Sequence, residues 1–305
     1  MALNKPEEDE ALDRAREIEA QWGHPGEIWS ELVGGVQDNG IRDFADIAEQ
    51  WLKFIWCLDQ YRIADAPPVA LGDGTKSYKQ RIDGVYRGKG NQFSTLLSLL
   101  LENRTNERIG SRSKIEGFSQ THQIDLAWPG HPAAPIVCAE SKLTGGPAYR
   151  GYPGRGAMDD WTNRRKELKF SATDLKLSRR AQTQRIGHWD VWRRAALPKT
   201  FLLWGATLSG RDNPDRMVKE VAAILATYLD GAGVAAWKER PQEDGYELLQ
   251  LPDMPTVESI DVALWRIETE ISEAISGGAV EEDPEAAAPV DLGQLADDAA
   301  EDGGS

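Results

Sequence analysis

The chain has 305 residues, 40% of them hydrophobic, and a formal net charge of -15 at pH 7. That is enough apolar sequence for one large domain or two modest ones with a sizeable core. Two cysteines and four scattered histidines argue against a disulfide scaffold and a structural zinc site, no apolar run approaches membrane-spanning length, and Met1–Ala20 is too charged for a signal peptide, so a reducing cytoplasm and no membrane partner are expected.

The spacing predicts a charged helix over 6–22 and a stronger one over 41–63, where Phe44, Ala48, Trp51, Leu52, Ile55 and Leu58 recur at helical intervals. That second helix, rich in Trp51, Ile55 and Trp56, reads equally as a core helix or as the face of a homodimer. Pro67-Pro68 and Gly72-Asp73-Gly74 then mark a linker, which sets off 1–75 as a helical N-terminal region. Asn91 is the expected N-cap of a helix through Phe93, Leu96, Leu97, Leu100 and Leu101. Strands are expected over 108–118, 123–128 and 136–142, followed by a Gly/Pro-rich loop over 144–156 and a basic, largely helical stretch over 158–195. The continuous apolar run Phe201–Thr207 has the mark of a strand buried on both faces. Asn213-Pro214 caps an amphipathic helix that is expected to stop at Asp230-Gly231. Strands over 234–237 and 246–251 and a helix over 256–276 complete a domain spanning 76–276. Residues 277–305 carry nine acids and no Lys or Arg, a composition expected to stay disordered as an acidic tail.

The overall acidity hides a strong asymmetry. Residues 76–199 hold 23 Lys and Arg against 11 Asp and Glu, although the whole chain holds 35 against 50. Cationic side chains at phosphate spacing supply salt-dependent affinity for nucleic acid. Arg150, Arg155, Arg164, Arg165, Lys169, Arg179, Arg180 and Arg185 are the expected DNA contacts, and Arg193 and Arg194 continue the series. The interleaved Trp161, Trp189 and Trp192 read as core residues rather than stacking platforms, and His122 and His131 as solvent-exposed.

Inside the basic segment, Asp125 sits on one apolar strand, and Glu140 and Lys142 sit two residues apart on the next. Side chains alternate across a strand, so Glu140 and Lys142 share a face. Two acids and a lysine at facing strand ends can form a site for a hard divalent cation with a phosphate-directed ammonium beside it. The competing reading is a surface ion pair worth about 0–1 kcal/mol. Against it, Ile136–Ala139 reads as a central buried strand, and a charged pair at its end needs a reason.

The pattern Asp125…Glu140-Ser141-Lys142, within this order of helices and strands, resembles the PD-(D/E)xK nuclease superfamily over roughly residues 90–251. Ile124 stands where the motif's proline would be. The resemblance implies an α/β restriction-endonuclease-like core, a mixed central sheet flanked by helices, with helical N-terminal additions. It implies Mg²⁺, with Mn²⁺ expected to substitute, held by Asp125, Glu140 and the backbone carbonyl of Ser141. Lys142 would orient the attacking water or stabilise the transition state. An acid on the preceding helix would complete the site; Glu102 occupies that place, with Glu116 as the alternative. The implied activity is hydrolysis of DNA phosphodiester bonds by an endonuclease, in restriction or another defence against foreign DNA. Alternatives are a repair or recombination nuclease, or an inactive nucleic-acid-binding subunit.

Overall fold

A computed structural model describes residues 5–61, 78–130, 134–147, 155–178, 193–252 and 256–278. Helices α1 (Lys5–Trp22), α2 (Pro25–Asn39), α3 (Phe44–Tyr61) and α4 (Tyr78–Thr105) precede strands β1 (Gly110–Glu116), β2 (Thr121–Trp128) and β3 (Val137–Thr144). Helix α5 (Trp161–Ser178), β4 (Lys199–Leu208), α6 (Pro214–Thr227), β5 (Gly231–Glu239), β6 (Tyr246–Leu248) and α7 (Ile260–Ser276) follow.

The strands form one six-stranded mixed sheet in sequential order. β1, β2 and β3 are an antiparallel meander; β4 and β5 add in parallel, and β6 closes the far edge antiparallel. Parallel neighbours need a crossover, and α5 and α6 supply the two. β4 and β5 are buried through nearly their whole length, as parallel strands covered on both faces must be. Alternation divides their side chains: Phe201, Leu203, Ala235 and Trp237 join the core beneath α3, α4 and α7. Leu202, Trp204, Ala206, Val234 and Ala236 join the core beneath α5 and α6. The sheet is therefore the middle of three layers.

The N-terminal helices share the first of these cores. Trp51 meets Trp237 edge-on at 6.4 Å, and Trp51, Ile55 and Trp56 are buried, so this face of α3 is spent within the protomer. A buried polar link adds to it. Asp59 on α3 accepts from Lys89 on α4 and from the Tyr246 hydroxyl on β6, each at 2.7 Å. The linker residues 62–77 and the acidic residues 279–305 lie outside the described residues.

Among the differences from the sequence-based expectation, three have a local cause. α2 has no counterpart in it: Gly34-Gly35 weakens the pattern, yet His24 caps the start, Gly40 in the left-handed region (φ 58°) ends it, and Ile28, Leu32 and Val36 are buried. α4 begins at Tyr78, so Asn91 is interior rather than capping; three glycines in its early turns weaken the helical signal there. α6 ends at Thr227, and Gly231 opens β5 instead of terminating the helix. The Asn213 cap holds as expected, its side chain accepting from Arg216 N at 3.2 Å.

Candidate active site

β2 and β3 pair only at Trp128–Val137, Ala127–Cys138 and Leu126–Ala139. Beyond that point β2 continues with β1 and β3 continues with β4, so the sheet forks. Asp125 and Glu140 are the next residue on each strand. On the other side of β2, Ser111 pairs with Leu126 and Ser113 with Ile124, and Arg112 between them has φ 47°. A non-glycine residue in the left-handed region is uncommon, and this kink lies across from Asp125.

Side chains take over where the ladder stops. Asp125 Oδ2 accepts from the Ser141 backbone N–H at 2.9 Å, from the Ser141 hydroxyl at 3.4 Å and from Lys142 Nζ at 3.3 Å. Lys142 Nζ also donates to Glu140 Oε2 at 2.7 Å. All three charged side chains are at most a quarter exposed. Burial pushes the Glu140 carboxyl above its usual range, and the Asp125 carboxylate adds to this against the pull of Lys142. For Lys142 burial acts downward, but the Glu140 and Asp125 carboxylates outweigh it and hold the amine above its usual value. Lys142 is therefore an ammonium at neutral pH.

The fork opens into a cleft of about 720 Å³. Asp125, Ser141, Lys142 and Thr144 line its floor; Arg87, Gly90, Asn91 and Ser94 of α4 form one wall, and Arg155, Asp160 and Arg164 the other. Gly145 makes the turn at the end of β3 with φ 82°, and a Cβ there would lie 1.9 Å from the Thr207 carbonyl oxygen. Arg155 and Arg164 both pair with Asp160, at 3.1 and 3.6 Å, and are part-exposed.

The other expected site residues are dispersed. Glu102 does not reach the site: its carboxylate accepts from Ile109 N at 3.1 Å, tying the end of α4 to the approach to β1. Ser94 lies eight residues earlier, about 12 Å along the helix axis. Glu116 accepts from the Thr121 hydroxyl at the hairpin tip. Arg165 turns to Glu220 on α6 at 3.0 Å, and Lys169 lies 4.8 Å over the Tyr228 ring, so neither lines the cleft. Arg193 is buried against the Leu229 and Ala226 carbonyls at the end of α6, a structural role rather than a phosphate contact. Arg150, Arg179, Arg180 and Arg185, together with Trp189, Trp192 and His131, lie outside the described residues.

His122 is buried instead of exposed, bonded to Asp174 at 2.8 Å. Trp161 is a core residue, stacked on Trp204 at 4.5 Å. The residues that sequence reasoning missed are Arg87, Asn91 and Ser94. Their spacing puts them on one stripe of a helix, a signal readable once α4 starts at Tyr78.

Among the described residues no group of three or more His, Cys, Asp or Glu side chains converges to hold a metal. The Asp125 and Glu140 carboxylates converge on the Lys142 ammonium, at 3.3 and 2.7 Å. Glu140 is held high partly by Asp125, an acid–acid conflict that a divalent cation would relieve. Mg²⁺ commonly takes only one or two carboxylates and keeps waters, so the donor set fits it. No protein-family model, no curated protein and no solved structure matches this chain. No described helix is long and apolar enough to cross a membrane.

Proposed function

We propose that this protein is a Mg²⁺-dependent endonuclease of the PD-(D/E)xK, restriction-endonuclease-like kind, hydrolysing DNA phosphodiester bonds. One observation carries the reading: Asp125, Glu140 and Lys142 meet at the fork of β2 and β3, and Asp125 and Lys142 line a cleft that Arg87, Arg155 and Arg164 also line. The order of elements supports it, with a helix ahead of an antiparallel meander that carries the acids and parallel strands beyond. The basic balance of 76–199 supplies the polymer preference.

Asp125, Glu140 and the Ser141 carbonyl would hold the cation. Bound there, it supplies an acidified water and neutralises charge on the scissile phosphate. The remaining roles belong to the chain. Lys142, kept protonated by its two carboxylates, donates to a phosphate oxygen as negative charge develops. The arginines on both walls hold the flanking phosphates in register. Restriction or another defence against foreign DNA is the proposed setting.

Incubating supercoiled plasmid with the protein and Mg²⁺ tests the reading. Cleavage is expected, and Asp125→Ala and Lys142→Ala should each abolish it. Cleavage that survives both substitutions overturns the assignment. A second reading, a nucleic-acid-binding subunit without hydrolysis, is favoured by the absence of Glu102 from the cleft, and plasmid binding without cleavage is its signature.

A further inference from the structure

We propose that Ser94 is a positioning residue that fixes the Asp125 carboxylate through the Ser141 hydroxyl. The proposal rests on reading the cleft as a cation-dependent hydrolytic site. Among the described side chains α4 brings no acid to that site. It brings Ser94, buried like Ser141 at 6% exposure, and the two hydroxyls are in hydrogen-bond contact.

A hydroxyl has a single hydrogen to donate and can accept as well. With Ser94 donating to Ser141 Oγ, the hydrogen of Ser141 is free for Asp125 Oδ2, which also receives the Ser141 N–H. Oδ2 thus collects Ser141 N, Ser141 Oγ and Lys142 Nζ. None of these three bonds goes to Oδ1, which would be the oxygen offered to a cation. Because the β2–β3 ladder has already ended, no backbone rung joins Asp125 to β3. The Ser141 N–H and the relay from α4 hold its carboxylate instead. With two acids at the site among the described residues, cation binding depends on how each acid is aimed.

The test is Mn²⁺ titration of the full chain by calorimetry, with melting temperature measured in parallel. Ser94→Ala should weaken Mn²⁺ binding roughly three- to tenfold, the scale of one hydrogen bond. Ser94→Thr, which keeps the hydroxyl, should restore it. Ser141→Ala should give a similar loss, and the double variant should fall short of the sum because the two act in one chain. In plasmid cleavage, Ser94→Ala should raise the Mg²⁺ concentration for half-maximal rate more than it lowers the saturating rate. Mn²⁺ affinity unchanged in Ser94→Ala, or a Ser94→Thr as weak as Ser94→Ala, overturns the proposal while leaving the nuclease reading in place. A wild-type chain that binds no Mn²⁺ and cuts no DNA overturns both.

Discussion

The Asp125 carboxylate on β2 accepts the backbone N–H of Ser141 on β3 at 2.9 Å, at the point where the two strands stop pairing. A side chain has replaced a rung of the ladder, so Asp125 has a structural acceptor role as well as its charge. Asp125→Asn separates the two, because an amide oxygen can still accept the N–H. Its stability loss should stay under about 1 kcal/mol, a fall in melting temperature of about 2–4 °C. Its Mg²⁺-dependent cleavage should fall by about a hundredfold or more. A variant that melts normally and cuts normally would remove Asp125 from the chemistry.

The arginines sort into two groups that binding measurements can tell apart. Arg87, Arg155 and Arg164 line the cleft, whereas Arg165 is tied to Glu220 and Lys169 to Tyr228. Removing one cation that neutralises a DNA phosphate lowers the slope of log K against log salt by about 0.9. Alanine at any of the first three should reduce the slope by about that amount, and alanine at Arg165 or Lys169 should leave it in place. Equal effects from both groups would mean that DNA runs over α5 and not through the cleft.

The tip of the β1–β2 hairpin is latched to α5 by an acid. Asp174 accepts from Ser119 N at 3.0 Å, from the Ser119 hydroxyl at 2.7 Å and from His122 at 2.8 Å. Burial alone would raise its carboxyl, but the bonds from His122 and Ser119 outweigh it and hold the group below the ordinary value of 3.8. A carboxyl depressed in the folded state stabilises above its unfolded value, and the stabilisation is lost as pH falls through the folded value. Urea unfolding should therefore show Asp174→Asn less stable than wild type at pH 6, with the gap closing below pH 3.8. A gap that does not change with pH would show that hydrogen bonding by either form suffices.

The Asp59–Lys89 pair, each side chain 1% exposed, joins α3 to α4. Removing one partner of a buried pair strands the other charge, at a typical cost of about 3–5 kcal/mol. Asp59→Ala should lower the melting temperature by roughly 10 °C or more. Adding Lys89→Met to it should recover part of the loss, because the buried ammonium is then removed along with its carboxylate. A double variant no better than the single would assign the effect to the missing Tyr246 bond instead.

Much of this architecture is legible in residue order. Phe201–Thr207 reads as a doubly buried strand because a continuous apolar run has no polar face to show to water. Asn213-Pro214 reads as a helix start because cap chemistry is local. Asp125, Glu140 and Lys142 are legible for the same reason: strand alternation fixes their facing over two residues, and the hairpin brings the two strands together.

What lay beyond the sequence depends on contacts between distant segments. Glu102 stands at the right distance along the chain, but the length and rotation of α4 turn Ser94 to the cleft and leave Glu102 with Ile109. Arg165 and Lys169 share a basic run with Arg164, yet α5 packs against α6, and a turn of helix sends them to Glu220 and Tyr228. His122 shares the buried face of β2 with Ile124 and Leu126, and Asp174, 52 residues later, provides the partner that makes its burial tolerable. The sequence by itself determined the element types, α2 excepted, and the identity of the charged trio, since both follow from spacing and local geometry. The tertiary structure decided which polar groups surround the trio, because that choice is made by helix phase and layer packing rather than by neighbours in the chain.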